Sequence, residues 1–252
     1  MNLALFFKEQ GIDVFSEVSL DDLSYEDKAS VAQFFPAAQS VIVFGKEVPV
    51  LVYQMTKKEK TRGMLKVAET LDNTAIKLAA LLEKNQVPAK PVPLYLPVRI
   101  TDGKVQGLVR LKPVAAAAGL GSIGKNTVLF NPRFGPRLLL SGVVTSRHFR
   151  KTRKTENIEG KDEVLACTGC GRCIRLCPEG ALGSADVDAF RCRTVSAFVP
   201  PILVPAVKGM LGQMLVLKCL APLAPWIARM ATIRCSLCVT ECPNLSKEMS
   251  KK

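Results

Sequence analysis

Cys167–Pro178 reads CTGCGRCIRLCP, a C-x2-C-x2-C-x3-C-P run, and a shorter copy, C-x2-C-x3-C-P, recurs at Cys235, Cys238, Cys242 and Pro243. The first run is the pattern that holds a cubane [4Fe–4S] cluster. Each iron of a cubane takes a thiolate. A tight loop can aim three thiolates at three corners, and the fourth must come from elsewhere. In two-cluster ferredoxins the Cys before Pro serves the other cluster. That rule assigns Cys167, Cys170, Cys173 and Cys242 to one cluster, and Cys177, Cys235 and Cys238 to a second. Two cysteines compete for the last position. Cys192 sits in the polar segment DAFRC and Cys219 in the apolar segment VLKCLAPL. Polarity favours Cys192, and Cys219 reads as a buried thiol packing as a small hydrophobe.

Zinc also uses CxxC pairs, but two runs that each end in Cys-Pro are a poor zinc pattern. The nine cysteines bunch in the last third of the chain, with no secretory signal beside them, which argues against a disulfide framework. The start, MNLALFFKEQGID, has too short an apolar run for a signal peptide. Oxygen-sensitive clusters and unpaired thiols agree with a cytoplasmic location.

With 252 residues, 48% of them hydrophobic, the chain can bury a sizeable core. Lys+Arg 35 against Asp+Glu 22 leaves a formal net charge of +13, which anionic clusters would offset. A basic surface suits an acidic electron donor, RNA or an anionic membrane.

Helices are expected at residues 2–10, ended by Gly11, and at Asp21–Gln33. The longest is expected at Thr61–Asn85, where Leu65, Ala68, Leu71, Ala75, Leu78, Leu81 and Leu82 recur at three-to-four spacing. Strands are expected at Ser40–Phe44, closed by Gly45, at Val48–Tyr53, at Pro91–Leu96 and at Leu138–Ser146, with a turn at Asp102-Gly103. Strands mixed with helices over residues 1–150 imply an α/β layer structure. Residues 151–165 form a basic linker, and residues 166–252 the cluster-binding part, so the whole is α+β. The apolar insert 198–233 separates the two cysteine motifs. Its prolines and charges break any spanning helix, and it reads as helices over the clusters, as a partner patch, or as a membrane-surface contact. His148, the only histidine, reads as structural.

Ala118–Thr127 reads AGLGSIGKNT. Gly119-x-Gly121-x-x-Gly124 matches the dinucleotide fingerprint, but that fingerprint follows a strand, whereas KPVAAAA before it favours a helix. Gly119 to Lys125 also approaches a phosphate loop, but Asn126 replaces the hydroxyl that would bind magnesium. The remaining readings are a tight structural turn, or exposed amides that hold a phosphate or a cofactor's polar edge.

The stretch AGLGSIGKNTVLFNPRFGPRLLLSGVVT, followed by the two cysteine motifs, resembles epoxyqueuosine reductase, which is grouped with cobalamin-dependent reductive dehalogenases. The resemblance runs from SVIVFG at Ser40 to Pro243. It implies a nitroreductase-like N-terminal α/β domain that binds cobalamin, followed by a ferredoxin-like module with two [4Fe–4S] clusters. It implies that DAFRC supplies the last ligand, Cys192, and that Gly119, Gly121, Gly124, Lys125 and Asn126 lie in the cobalamin-domain loop. A ferredoxin or flavodoxin would be the electron donor. The family's proton-donating aspartate aligns with Val105 here, and Asp102 lies three residues before it. The resemblance also implies a short, divergent relative without the helical-repeat extension that helps others hold tRNA.

Two functions follow. The first is a cobalamin- and iron–sulfur-dependent reductase of an unidentified substrate, with a small molecule or, less favoured, tRNA as candidates. The second is an electron-transfer protein that reduces a partner such as a corrinoid protein.

Overall fold

The computed structural model describes residues 2–94, 98–101, 104–148, 166–183, 186–193 and 233–245. The linker 151–165, most of the insert 198–233, the Asp102-Gly103 turn and Cys219 lie outside the described residues.

A four-stranded sheet in the order β1-β2-β8-β3 is the frame, and all its pairings are antiparallel. Its strands are β1 (Val14–Ser19), β2 (Ser40–Glu47), β3 (Ala89–Pro91) and β8 (Leu138–Thr145). β2 and β8 are central, so each carries apolar side chains on both faces. The period of two sorts them. Val41, Val43 and Val144 face one core, and Ile42, Phe44 and Val143 the other. Helices α2 (Tyr25–Phe34) and α5 (Leu111–Ala117) cover the first face. Helices α1 (Leu3–Glu9), α3 (Val50–Gln54) and α4 (Lys57–Lys84) cover the second. Mixed helices and sheet in three layers result. On the second face Phe7 packs on Phe44 and Phe15, with ring centroids 5.0 and 4.6 Å apart.

α4 begins four residues earlier than its apolar periodicity predicts. Thr56 and Glu59 form a capping box that satisfies the first free amides and carries the helix back to Lys57. Leu71, Ala75, Leu78 and Leu82 are buried, whereas Leu65, Ala68 and Leu81 are half-buried. The Asp21–Gln33 helix divides into a 3-10 turn at Leu20–Asp22 and α2, because Ser24 caps α2 through the Asp27 amide.

Two strand expectations change. Val48–Tyr53 is not a strand: Pro49 stands at the N-cap position before α3 (Val50–Gln54), without a side-chain capping bond, and Val52 and Tyr53 are buried against α4. β2 does not close at Gly45 but continues to Glu47, paired throughout with β8. A Cβ at Gly45 would sit 2.8 Å from Leu138, so that glycine serves close packing rather than a turn. β3 covers only the start of the expected Pro91–Leu96 strand.

Two hairpins complete this part. β4 (Val98–Thr101) pairs with β5 (Lys104–Gly107), which contains Val105. β6 (Ser122–Ile123) pairs with β7 (Leu129–Phe130), and its tip is the glycine loop. The cysteine motifs carry two short helices, α6 (Arg172–Arg175) and α7 (Leu237–Thr240).

Candidate functional site

The glycine loop follows a helix, not a strand, as KPVAAAA foretells. Gly119 (φ +78°) ends α5: its N–H donates to the Ala116 carbonyl and the Leu120 N–H to that of Ala115. This is the left-handed glycine stop of a helix. Gly121 and Gly124 lie against β7. A Cβ on Gly121 would be 2.0 Å from the Phe130 carbonyl oxygen, and one on Gly124 would be 2.4 Å from the Phe130 ring. Close backbone packing therefore accounts for these two glycines.

The next two residues reach the cysteine motifs. The Lys125 backbone N–H donates to Cys167 Sγ at 3.5 Å. The Asn126 side chain is buried, and its Nδ2 donates to the Cys238 carbonyl at 2.9 Å. The loop thus touches both motifs.

The two motifs also meet each other. Asn244 Nδ2 donates to the Ala166 carbonyl at 2.7 Å, and Arg172 pairs with Glu241 at 3.2 Å. These contacts carry Cys242 to the first motif. Cys167, Cys170, Cys173 and Cys242 all line one small cavity, capped by Lys125, Asn126 and Phe130. Burial pushes the Cys242 thiol up, and the thiols of Cys167 and Cys170 add to the effect. Cys173 is raised by burial and by the same two thiols. Cys170 is exposed and its pKa is lowered, chiefly by the Arg172 backbone N–H, with the Arg175 cation contributing.

A second, larger cavity of about 370 Å3 lies alongside. Cys177, Cys192, Cys235 and Cys238 line it. Burial pushes the Cys238 thiol up to about 11, and the thiols of Cys192, Cys235, Cys173 and Cys177 add to it. Cys192 is held by a short turn. Asp188 Oδ1 accepts from the Phe190 and Arg191 amides at 2.9 and 3.2 Å, and the Cys192 N–H donates to the Asp188 carbonyl at 3.0 Å. The start of α4 holds the other side. The Ile233 N–H donates to Thr61 Oγ1 at 2.9 Å, and Lys60 Nζ to Ser236 Oγ at 3.0 Å.

The remaining wall of this cavity comes from the sheet part and is mostly apolar: Met64, Val128, Pro136, Leu138 and Leu139, joined by Tyr53 and Lys112. Burial pushes the Tyr53 hydroxyl pKa well up, and the Cys238 thiol adds to this. Burial lowers the Lys112 pKa, Cys238 opposes the shift, and Lys112 Nζ donates to the Thr127 carbonyl at 2.8 Å. Thr127 holds a left-handed conformation, φ +59°, which is unusual for a β-branched residue. Neither Tyr53 nor Lys112 stands out in the sequence. Only the fold brings them to one cavity. His148 is exposed and apart from both cavities.

Among the described residues no three His, Cys, Asp or Glu side chains converge on a point as ligands of a single ion would. The thiols instead gather around two adjoining spaces: Cys167, Cys170, Cys173 and Cys242 at the smaller, Cys177, Cys192 and Cys235 at the larger, and Cys238 at both. That donor set fits two cubanes, in which each thiolate meets a different iron. Among the described residues no helix is long and apolar enough to cross a membrane.

The family model "4Fe-4S binding domain" matches residues 165–183. The epoxyqueuosine reductase of Bacillus cereus is 25% identical over 175 residues, covering 66% of this chain and 42% of that protein. The chain spans about half the length of the curated relatives it matches. A solved epoxyqueuosine reductase from Streptococcus thermophilus superposes with a TM-score of 0.55 at 21% identity, covering 98% of this chain and 67% of that one. A catabolic reductive dehalogenase superposes with a TM-score of 0.51 at 12% identity, covering 98% of this chain and 35% of that one. These superpositions show a shared fold of mixed helix and sheet.

Proposed function

We propose that this chain, which resembles the epoxyqueuosine reductases, is an iron–sulfur oxidoreductase. It passes low-potential electrons through two [4Fe–4S] clusters into the cavity between its sheet and its cysteine motifs. Its organisation is an α/β, nitroreductase-like domain over residues 1–150, a basic linker over 151–165, and a two-cluster module over 166–252. The observation that carries this reading is the gathering of eight thiols around two adjoining cavities, with Cys238 shared between them and Cys177, Cys192 and Cys235 forming a wall of the larger.

The order of the rings gives a direction. The first ring has an exposed edge at Cys170 and accepts electrons from outside, from a ferredoxin or flavodoxin. The second, whose four cysteines are all half-buried, lines the larger cavity and delivers them there. Reducing clusters and free thiols suit the cytoplasm.

The cavity is the place for cobalamin. Apolar walls beside a redox donor suit a corrin face, and a space of about 370 Å3 would take part of a molecule as large as cobalamin, the rest lying outside it. Tyr53, Val128, Leu138 and Leu139 would bound the macrocycle, with Thr127 and Asn126 at its edge. Bound cobalamin would supply a strongly reducing cobalt. The protein's part is to exclude water with the apolar wall, to hold Lys112 against the Thr127 carbonyl, and to keep the Tyr53 hydroxyl protonated. A cavity of this kind beside the second ring supports a reductase acting on a small electrophile rather than a plain electron carrier.

Anaerobic purification, iron counting and titration with cobalamin test the proposal. About eight irons and a tightly bound corrinoid whose visible and paramagnetic spectra change are expected. Eight irons without corrinoid binding would leave only electron transfer to a partner, and zinc in place of iron would remove the function altogether.

A further inference from the structure

Among the described residues, two line both cavities: Asn126 and Cys238. They form the partition between the two thiol rings. Cys238 is assigned to the second ring and also lines the cavity of the first. Asn126 belongs to neither motif and comes from the β6–β7 hairpin.

The orientation of the Asn126 amide is forced. The Val128 N–H can only donate, and it points at Oδ1 at 3.2 Å. The Cys238 carbonyl can only accept, and it faces Nδ2 at 2.9 Å. The positive, N–H end of a buried dipole therefore lies on the Cys238 side of the partition. Such a dipole acts at full strength where water is excluded. Hydrogen bonds and local dipoles around the sulfurs are among the factors that set cluster potentials.

We propose that Asn126 is a positioning residue that locks the Cys238 loop to the sheet part and holds the second cluster at a higher reduction potential than it would otherwise have. The proposal rests on the two-cluster reading above. Without the amide, the Cys238 carbonyl loses its donor, its negative end is left uncompensated beside the cluster, and the added electron is disfavoured.

The test is a potentiometric titration followed by electron paramagnetic resonance, with iron counted in each sample. Wild-type protein tests the underlying reading by itself: eight irons and two reduction steps are required, and their absence sinks that reading before any variant is made. In Asn126→Leu, which fills the space without a donor, one step is expected to move to lower potential with eight irons retained. Asn126→Asp should move it further, because a charge replaces the dipole. Asn126→Ser, which keeps a short donor, should lie between Asn126→Leu and wild type. A role in packing alone would lower thermal stability but leave both steps in place, and that result overturns the proposal. If Asn126→Asp fails to assemble, the order of Asn126→Ser and Asn126→Leu decides. Loss of all iron in Asn126→Ser also overturns it, because a lock that only tunes leaves both rings able to fill.

Discussion

Asn244, two residues after Cys242, donates its side-chain amide to the carbonyl of Ala166, the residue before Cys167, at 2.7 Å. The segments that carry Cys167 and Cys242 are thus joined by a bond between residues 78 positions apart. A fourth ligand supplied from a distant segment needs such a tie, since the entropy of closing so long a loop opposes it.

Asn244→Ala should therefore loosen the first ring while sparing the second. The expected cost is about 1 kcal/mol, seen as faster loss of four of the eight irons to a chelator. Equal loss from both rings would show that the bond has no special relation to Cys242.

The ligand choice between the two spare cysteines is open to direct test. Cys192→Ala should lose four irons and leave the rest, because Cys192 lines the second cavity with Cys177, Cys235 and Cys238. Cys219→Ala should keep all eight. The opposite pattern would make Cys219 the ligand.

Thr61 joins α4 to the second motif by accepting the Ile233 amide at 2.9 Å. Thr61→Val keeps the shape and removes the acceptor, leaving that N–H unpaired in a part-buried position. A loss of roughly 1–3 kcal/mol should appear in thermal unfolding of the iron-loaded protein, with the second cluster bleaching first.

The glycine loop offers a contrast between two kinds of constraint. Gly119→Ala meets no atom within 4 Å but must keep a φ of +78°, so it should cost about 1–2 kcal/mol. Gly121→Ala would drive its Cβ to 2.0 Å from the Phe130 carbonyl oxygen, a backbone atom that cannot step aside. It should disrupt the β6–β7 hairpin and release both Lys125 and Asn126 from the cysteine motifs. Comparable melting temperatures for the two variants would refute the distinction.

Iron-free protein should show graded thiol reactivity. The Cys170 pKa is lowered, so its thiolate fraction at a given pH is raised. Cys238, pushed up to about 11, stays a thiol until the solution is strongly alkaline. In a mildly alkaline alkylation followed by peptide mass spectrometry, Cys170 should be modified first and Cys238 among the last. Raising the pH toward 11 should narrow the gap. A reversed order would show that the thiols do not sit as described.

The chain's local pattern declares its ligand chemistry, its glycine stop after α5 and the long helix α4, because each depends on residues a few positions apart. Cys-x-x-Cys spacing, Gly after an alanine run and a three-to-four apolar repeat are short-range signals. The same pattern misleads at Val48–Tyr53, where an apolar run suits a buried helix or strand equally and packing of Val52 and Tyr53 against α4 decides for helix. Tertiary structure alone brings Asn126 between the two thiol rings, Asn244 to Ala166, and Tyr53 and Lys112 into one cavity. Those relations join residues separated by tens to more than a hundred positions. Local spacing cannot encode them, because burial against the sheet and the closing of hydrogen bonds across elements select them only once the layers have packed.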